Sequence, residues 1–221
     1  MRLIFASNNS HKFNEVKSIL GIKYGVFLYS LNDFNIRIDP EENGKSYKEN
    51  ADIKSRAAYD ALKEKGVLKI GDYIFADDTG LSIDFYNGAP GIYSARFMAD
   101  LCHRDRNLKI LSEMKDVEDE KRAAHFETYL SVIEIKIDKD LTDIPESIIF
   151  NSRVDGYIAK ELEGNEGFGY DPIFVVKDYM KSDKDFSSTY SNLGQELKNK
   201  VSHRAKAIAL FITYLEKNHN I

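Results

Sequence analysis

Residues 2–7 (RLIFAS) are a short apolar run that reads as a first strand. Ser7, Asn8, Asn9 and Ser10 are rich in capping character, after which Phe13, Val16, Ile19 and Leu20 recur at helical spacing and Gly21 is placed to stop the helix. Residues 24–31 read as a second strand. After the polar loop 39–44, Ser46 with Glu49 three residues on has the capping-box pattern. The helix it opens is expected to run to about Lys65, with Gly66 ending it. Residues 73–76 and 81–85 read as two strands joined across Asp77, Asp78, Thr79 and Gly80. Leu108, Leu111 and Met114 mark another helix. Residues 126–137 and 147–159 alternate well enough for two long strands, and 173–176 for a short one. Ser202 is placed to cap a last helix whose stripe is Ala205, Ile208, Ile212 and Leu215. No linker or internal repeat stands out. βα units followed by long strands predict an α/β fold with a mixed sheet.

The length, 221 residues, suits one α/β unit or two lobes sharing a sheet. A net charge of −5 argues against a general nucleic-acid binder, although it does not say where the lysines sit. The one cysteine, Cys102, excludes an intrachain disulfide and a cysteine-rich zinc site, and it fits a reducing compartment. Lys12, Glu15 and Lys17 are unlike a secretory signal, and the apolar run 207–212 is far too short to span a membrane. A soluble, cytoplasmic protein is expected.

Five segments ask for more than a fold. Ser7, Asn8, Asn9, Ser10, His11 and Lys12 lead from a strand into a helix N-terminus, which offers N–H groups and partial positive charge to an anion. Lys12 is disfavoured there by the helix dipole, unless an anion meets it. An ordinary capped helix with a solvated lysine reads as well. Lys54 shares a helix face with Tyr47, Ala51, Ala58 and Ala61, so it either snorkels outward or serves as a phosphate ligand. Asp77 and Asp78 are costly to bury without a cation or donors, and carboxylates of this kind hold hard ions such as Mg²⁺; a polar turn is the plain alternative. Asp78-Thr79-Gly80 also matches the aspartic-protease tripeptide, but that chemistry needs two such carboxylates and the chain has one copy. Residues 164–172 are a glycine-rich loop in which Phe168 or Tyr170 either stacks on a nucleobase or packs into the core. Lys198, Ser202, His203 and Arg204 enter the last helix. His203 and Arg204 there offer adjacent donors to a carbonyl oxygen, or simply a solvated helix start.

Taken in order, these segments resemble the inosine/xanthosine triphosphate pyrophosphatase family. The resemblance rests on Ser7 to Lys12 with Glu15, Glu42 to Lys54 and Ala-Asp-Asp-Thr-Gly-Leu at 76–81. It continues through Ala-Pro-Gly-Ile-Tyr-Ser-Ala-Arg at 89–96, Gly-Phe-Gly-Tyr-Asp-Pro-Ile-Phe at 167–174, and Lys198-Asn199 with Ser202-His203-Arg204. It covers nearly the whole chain, with the bacterial branch nearest. It implies one domain over 1–221, in which a long curved mixed sheet with flanking helices forms two lobes around a central cleft, and a homodimer.

Carried onto this chain, the resemblance makes Ser7, Asn8, Asn9, Ser10, His11 and Lys12 the triphosphate loop. Glu42 and Asp78 become ligands of Mg²⁺, with Asp78 also the proton acceptor. Lys54 and Lys198 become phosphate or substrate ligands, with Lys54 catalytic and Thr79 beside it in the binding set. Phe168 becomes the base-stacking residue in a loop with Gly169 and Tyr170, and Asp171, His203 and Arg204 become the purine readers. The implied reaction is Mg²⁺-dependent hydrolysis of ITP, dITP and XTP to the monophosphate and pyrophosphate, which clears non-standard purines from the nucleotide pool.

Cleaving the α–β phosphoanhydride needs charge neutralisation, alignment and an activated water. A metal held by Glu42 and Asp78 would supply part of this, and Lys12 and Lys54 would offset charge on the leaving pyrophosphate. Two rivals are a septum-inhibitor-type pyrophosphatase acting on pyrimidine or modified nucleotides, and a nucleotide sensor without turnover. The segments at 168–172 and 202–204 argue against the first. Glu42, Lys54 and Asp78 together argue against the second.

Overall fold

A computed structural model of the chain describes residues 1–21, 26–164, 166–182 and 185–219. Strand β1 (Arg2–Phe5) leads to helix α1 (Ser10–Leu20), then β2 (Phe27–Ser30) and α2 (Tyr47–Glu64). Next come β3 (Asp72–Ile83), α3 (His103–Glu113), β4 (Ala123–Glu134), β5 (Ile148–Ile158) and β6 (Phe174–Val176). Helices α4 (Tyr190–Val201) and α5 (His203–His219) close the chain. The strands make a six-stranded sheet in the order β2-β1-β3-β4-β5-β6. β1 pairs in parallel with β2 and β3, whereas β5 and β6 are antiparallel, so the sheet is mixed as expected. Tyr24, in the expected second strand, and Asn165, in the glycine-rich loop, lie outside the described residues.

The helix signals act locally as their chemistry dictates. Asn9 caps α1 by accepting from the N–H groups of His11 and Lys12. At α2 the Ser46 hydroxyl accepts the Glu49 N–H, but the Glu49 carboxylate reaches back one residue further than a capping box would, to the Lys45 N–H at 2.6 Å. Gly66, at φ +67, takes the left-handed turn that ends α2.

The turn read across Asp77 to Gly80 does not exist: β3 runs unbroken from Asp72 to Ile83, and Phe85 lies beyond it in a short 3₁₀ turn. Two adjacent acids look like a turn in sequence, yet here each carboxylate is met by a lysine, so the strand can carry them through its interior. Helix α4 has no clear signal in the sequence. Its residues are mostly polar, and Gly194, at φ +74, breaks it in the middle.

The chain divides into two compact units. The first comprises 1–78, 128–151 and 207–221, and the second 79–127 and 152–206. In the first, β3 alternates between two cores. Tyr73 and Phe75 pack with Val16 of α1 and Phe211 and Leu215 of α5, while Ile74 and Ala76 pack with Ala58, Tyr59 and Leu62 of α2. In the second, Leu81 and Ile83 of β3 join Ile110 and Leu111 of α3, Met114 just beyond its end, and Phe126, Phe174 and Tyr190 in one core. The buried Arg122 guanidinium donates there to the carbonyls of Met114, Ile158 and Ala159.

Candidate active site

The period of two along β3 decides where its acids point. Asp77 continues the Tyr73 and Phe75 face toward α1, and Asp78 continues the Ile74 and Ala76 face toward α2. Lys12, in the first turn of α1, donates to both Asp77 oxygens at 3.0 and 3.1 Å. Lys54, mid-way along α2, donates to Asp78 at 2.8 Å and to Glu42 at 3.4 Å. Consecutive carboxylates thus receive lysines from different helices on opposite faces of one strand. The Lys54 side chain points inward and does not snorkel to solvent. Its ammonium faces the carboxylates of Asp78 and Glu42.

Asn50, fully buried on α2, completes the arrangement. Its carbonyl oxygen accepts the Gly44 N–H at 2.9 Å and its amide reaches Asp78 at 3.4 Å, so the loop carrying Glu42 is tied to the same spot. Burial pushes the Asp78 carboxyl above the ordinary aspartate value; Lys54 and Lys12 pull it back only in part. Burial likewise works against the Lys54 ammonium. There the charges of Asp78, Asp77 and Glu42 outweigh it and hold its pKa above the ordinary lysine value.

Glu42 and Asp78 fit a divalent cation. Both lie within ion-pair reach of the Lys54 nitrogen, so their oxygens already converge on one position of positive charge. Among the described residues no group of three or more His, Cys, Asp or Glu could hold an ion unaided. Mg²⁺ ordinarily takes one or two carboxylates and completes its shell with water and substrate phosphates.

The residues expected to form a triphosphate loop are largely engaged locally. Ser7 accepts the Asn9 N–H at 3.2 Å, and Asn8 donates to the Ile38 carbonyl at 2.6 Å. Ser10 and His11 open α1, and Asn9 takes two of its first N–H groups.

In the second unit, Asp171 and Lys198 form a buried ion pair at 2.6 Å. The same Asp171 oxygen accepts the Phe168 N–H at 2.7 Å, and the Lys198 ammonium lies 4.8 Å from the centre of the Phe168 ring. Gly167, at φ +86, permits this, because a Cβ there would sit 2.2 Å from the Asp171 oxygen. Tyr170 departs from the expectation that it faces a base. Its ring is in the core, its hydroxyl donates to the Ser94 carbonyl at 2.9 Å, and burial pushes its pKa up to about 12. The ring offers more by packing than by exposure, and Gly169 beside it presents only backbone. Lys198 lies near the end of α4 and not in the last helix, and its ammonium faces Asp171.

Ser202, in extended conformation, ends α4 and caps α5 by accepting the Ala205 N–H at 3.2 Å. His203 and Arg204 therefore start α5 in fixed positions, both buried. The His203 ring stacks on Phe126 with centroids 4.4 Å apart, and its Nδ1 lies 3.5 Å from the Tyr190 hydroxyl. Arg204 reaches the Thr79 hydroxyl at 3.5 Å. Sequence reasoning had passed over Asp77 as a partner of Lys12, and Asn50. The adjacency of two acids in an apolar strand was the available signal for the first.

The fold is α/β, with a strand-borne acid pair that meets a lysine at each carboxylate and, in the second unit, a glycine-rich loop around Phe168. The chain belongs to the Ham1 family, which it matches over residues 3–214. It is 39% identical to a dITP/XTP pyrophosphatase of Clostridium perfringens, over 94% of this chain and 93% of that one. Its fold is similar to that of the Staphylococcus aureus Ham1 protein, with a TM-score of 0.75 and 32% identity over 98% of this chain and 99% of that one. A Ham1 protein from Coxiella burnetii gives 0.76 and 30% over the same shares. Among the described residues no helix is long and apolar enough to cross a membrane.

Proposed function

We propose that this chain hydrolyses non-standard purine nucleoside triphosphates, ITP, dITP and XTP, to the monophosphate and pyrophosphate, with Mg²⁺ as cofactor. The observation that carries the reading is the pairing of Lys12 with Asp77 and of Lys54 with Asp78 and Glu42. Three carboxylates and two ammonium groups are gathered in one unit, where anionic phosphates and a divalent cation can exchange for the internal ion pairs.

Each residue has a task in that chemistry. Bound Mg²⁺ would supply charge neutralisation at the phosphate oxygens. Lys12 and Lys54, turned from their carboxylates to the substrate, would stabilise charge on the departing pyrophosphate. Asp78, with its pKa raised by burial, would accept the proton of the attacking water at its carboxylate oxygen. Ser7 to His11 would bind the triphosphate at the start of α1. In the second unit, Phe168 would stack on the base, and His203 and Arg204 would donate to the 6-oxo group that hypoxanthine and xanthine carry and adenine lacks. Asp171 and Lys198 support that loop. The name carried by the C. perfringens relative, dITP/XTP pyrophosphatase, supports the substrate class. A homodimer and a cytoplasmic location complete the proposal.

Product analysis tests it. ITP incubated with the protein and Mg²⁺ should give IMP and pyrophosphate, and chelation should stop the reaction. IDP and orthophosphate as products would overturn the assignment.

A further inference from the structure

Asn107 occupies a position where α3 should be apolar. It precedes Ile110, Leu111 and Met114 at spacings of three, four and seven, on the stripe that faces the core of the second unit. It is only 1% exposed. A buried amide must find partners. The Asn107 amide nitrogen donates to the Gly169 carbonyl at 2.9 Å, while its oxygen meets no protein partner among the described residues. The side chain is therefore held in the core for one bond, and that bond is to the glycine-rich loop.

The placement of the bond gives it meaning. Gly169 directly follows Phe168, and Asp171 holds the Phe168 N–H from the other side. Phe168 is thus clamped at both of its flanks, by α3 and by the loop's own acid. The neighbouring Arg106, also buried, lays its guanidinium 4.3 Å from the centre of the Tyr170 ring. It also reaches the Ser94 carbonyl at 3.5 Å, the same atom that accepts from the Tyr170 hydroxyl. Two adjacent residues of one helix grip the two residues that follow Phe168.

We propose that Asn107 is a positioning residue for base recognition, which sets the orientation of the Phe168 ring by holding the Gly169 carbonyl, with Arg106 bracing Tyr170 behind it. This rests on the reading of Phe168 as the stacking residue. Asn107 does not touch the base. It acts by keeping the loop in the conformation that presents the ring, so its loss lowers affinity for anything with a base and leaves phosphate binding as it was.

The chain contains no tryptophan, so Phe168→Trp places a single fluorescent reporter at the stacking position. IMP should quench it. Adding Asn107→Leu, of similar volume but without the donor, should weaken IMP binding about twofold to tenfold, the worth of one net hydrogen bond. It should also lower the fluorescence anisotropy of the free protein. Binding of pyrophosphate with Mg²⁺, measured by calorimetry, should not change, whereas a merely structural role would weaken both ligands together. Asn107→Ser is the second variant if the leucine does not fold. Quenching that Asn107 variants leave untouched, or equal losses for IMP and pyrophosphate, would overturn the positioning role alone. A reporter that IMP fails to quench would overturn the stacking reading and this proposal with it.

Discussion

Replacing Asp78 by asparagine separates chemistry from fold at this site. The swap keeps shape and removes one charge. Asp78 is nearly buried, and Lys54 donates to it at 2.8 Å. Breaking a buried ion pair by deleting one partner costs about 3–5 kcal/mol when the other charge is stranded. Lys54 is not stranded here, because Glu42 remains at 3.4 Å and Asp77 lends its field. Burial also disfavours the charged form of Asp78, so removing that charge returns part of the loss. The net cost should fall to about 1.5–3 kcal/mol, the worth of one charge-assisted hydrogen bond. For a chain of this size that corresponds to a melting temperature lower by roughly 3–12 °C. Turnover should fall far more. Loss of a general base alone costs ~10²–10⁴-fold, and loss of a metal ligand adds to it. The assays are pyrophosphate release from ITP at saturating Mg²⁺ and thermal unfolding of the same samples. A folded Asp78→Asn protein with activity within a few-fold of wild type would refute the assignment. Unfolding of the variant at the assay temperature would refute the modest stability cost.

Three further outcomes are expected. Lys54→Met leaves Glu42 and Asp78 without their shared ammonium, so its melting temperature should rise on adding Mg²⁺ by more than the wild-type value does; equal shifts would count against these carboxylates as metal ligands. Arg204→Ala should reduce the ITP/ATP ratio of kcat/KM by about ten- to a hundredfold, since a donor left unpaired by adenine is no longer there; equal slowing of both substrates would move base reading elsewhere. Burial works against the Glu134 carboxylate, but hydrogen bonds from Tyr73, Tyr214 and Lys136 outweigh it and hold its pKa below the ordinary glutamate value. Its stabilisation is therefore present above about pH 4.5 and lost as pH falls through the lower folded value. Wild type should exceed Glu134→Gln in melting temperature near neutrality and converge with it in acid. A gap independent of pH would show that packing, not charge, accounts for it.

Most elements of the fold were legible along the chain because their signals are local. A cap, a glycine stop and a stripe of apolar residues act within a turn or two, so α1, α2, the long strands β4 and β5, and the Ser202 cap of α5 could be placed from residue order. The order of the site motifs likewise pointed to one family before any contact was known. What residue order did not contain was pairing. Asp77-Asp78 looked like a turn because a carboxylate is expensive to bury unless a cation meets it, and the cations arrive from Lys12 and Lys54, 65 and 24 residues away. Their partition to opposite faces follows from the strand's period of two, which applies only once the strand is known to continue. Tyr170, Lys198 and Asn107 show the same limit. Whether an aromatic, a lysine or an amide faces solvent, substrate or core is decided by which distant groups the packing brings to it, here Ser94, Asp171 and Gly169.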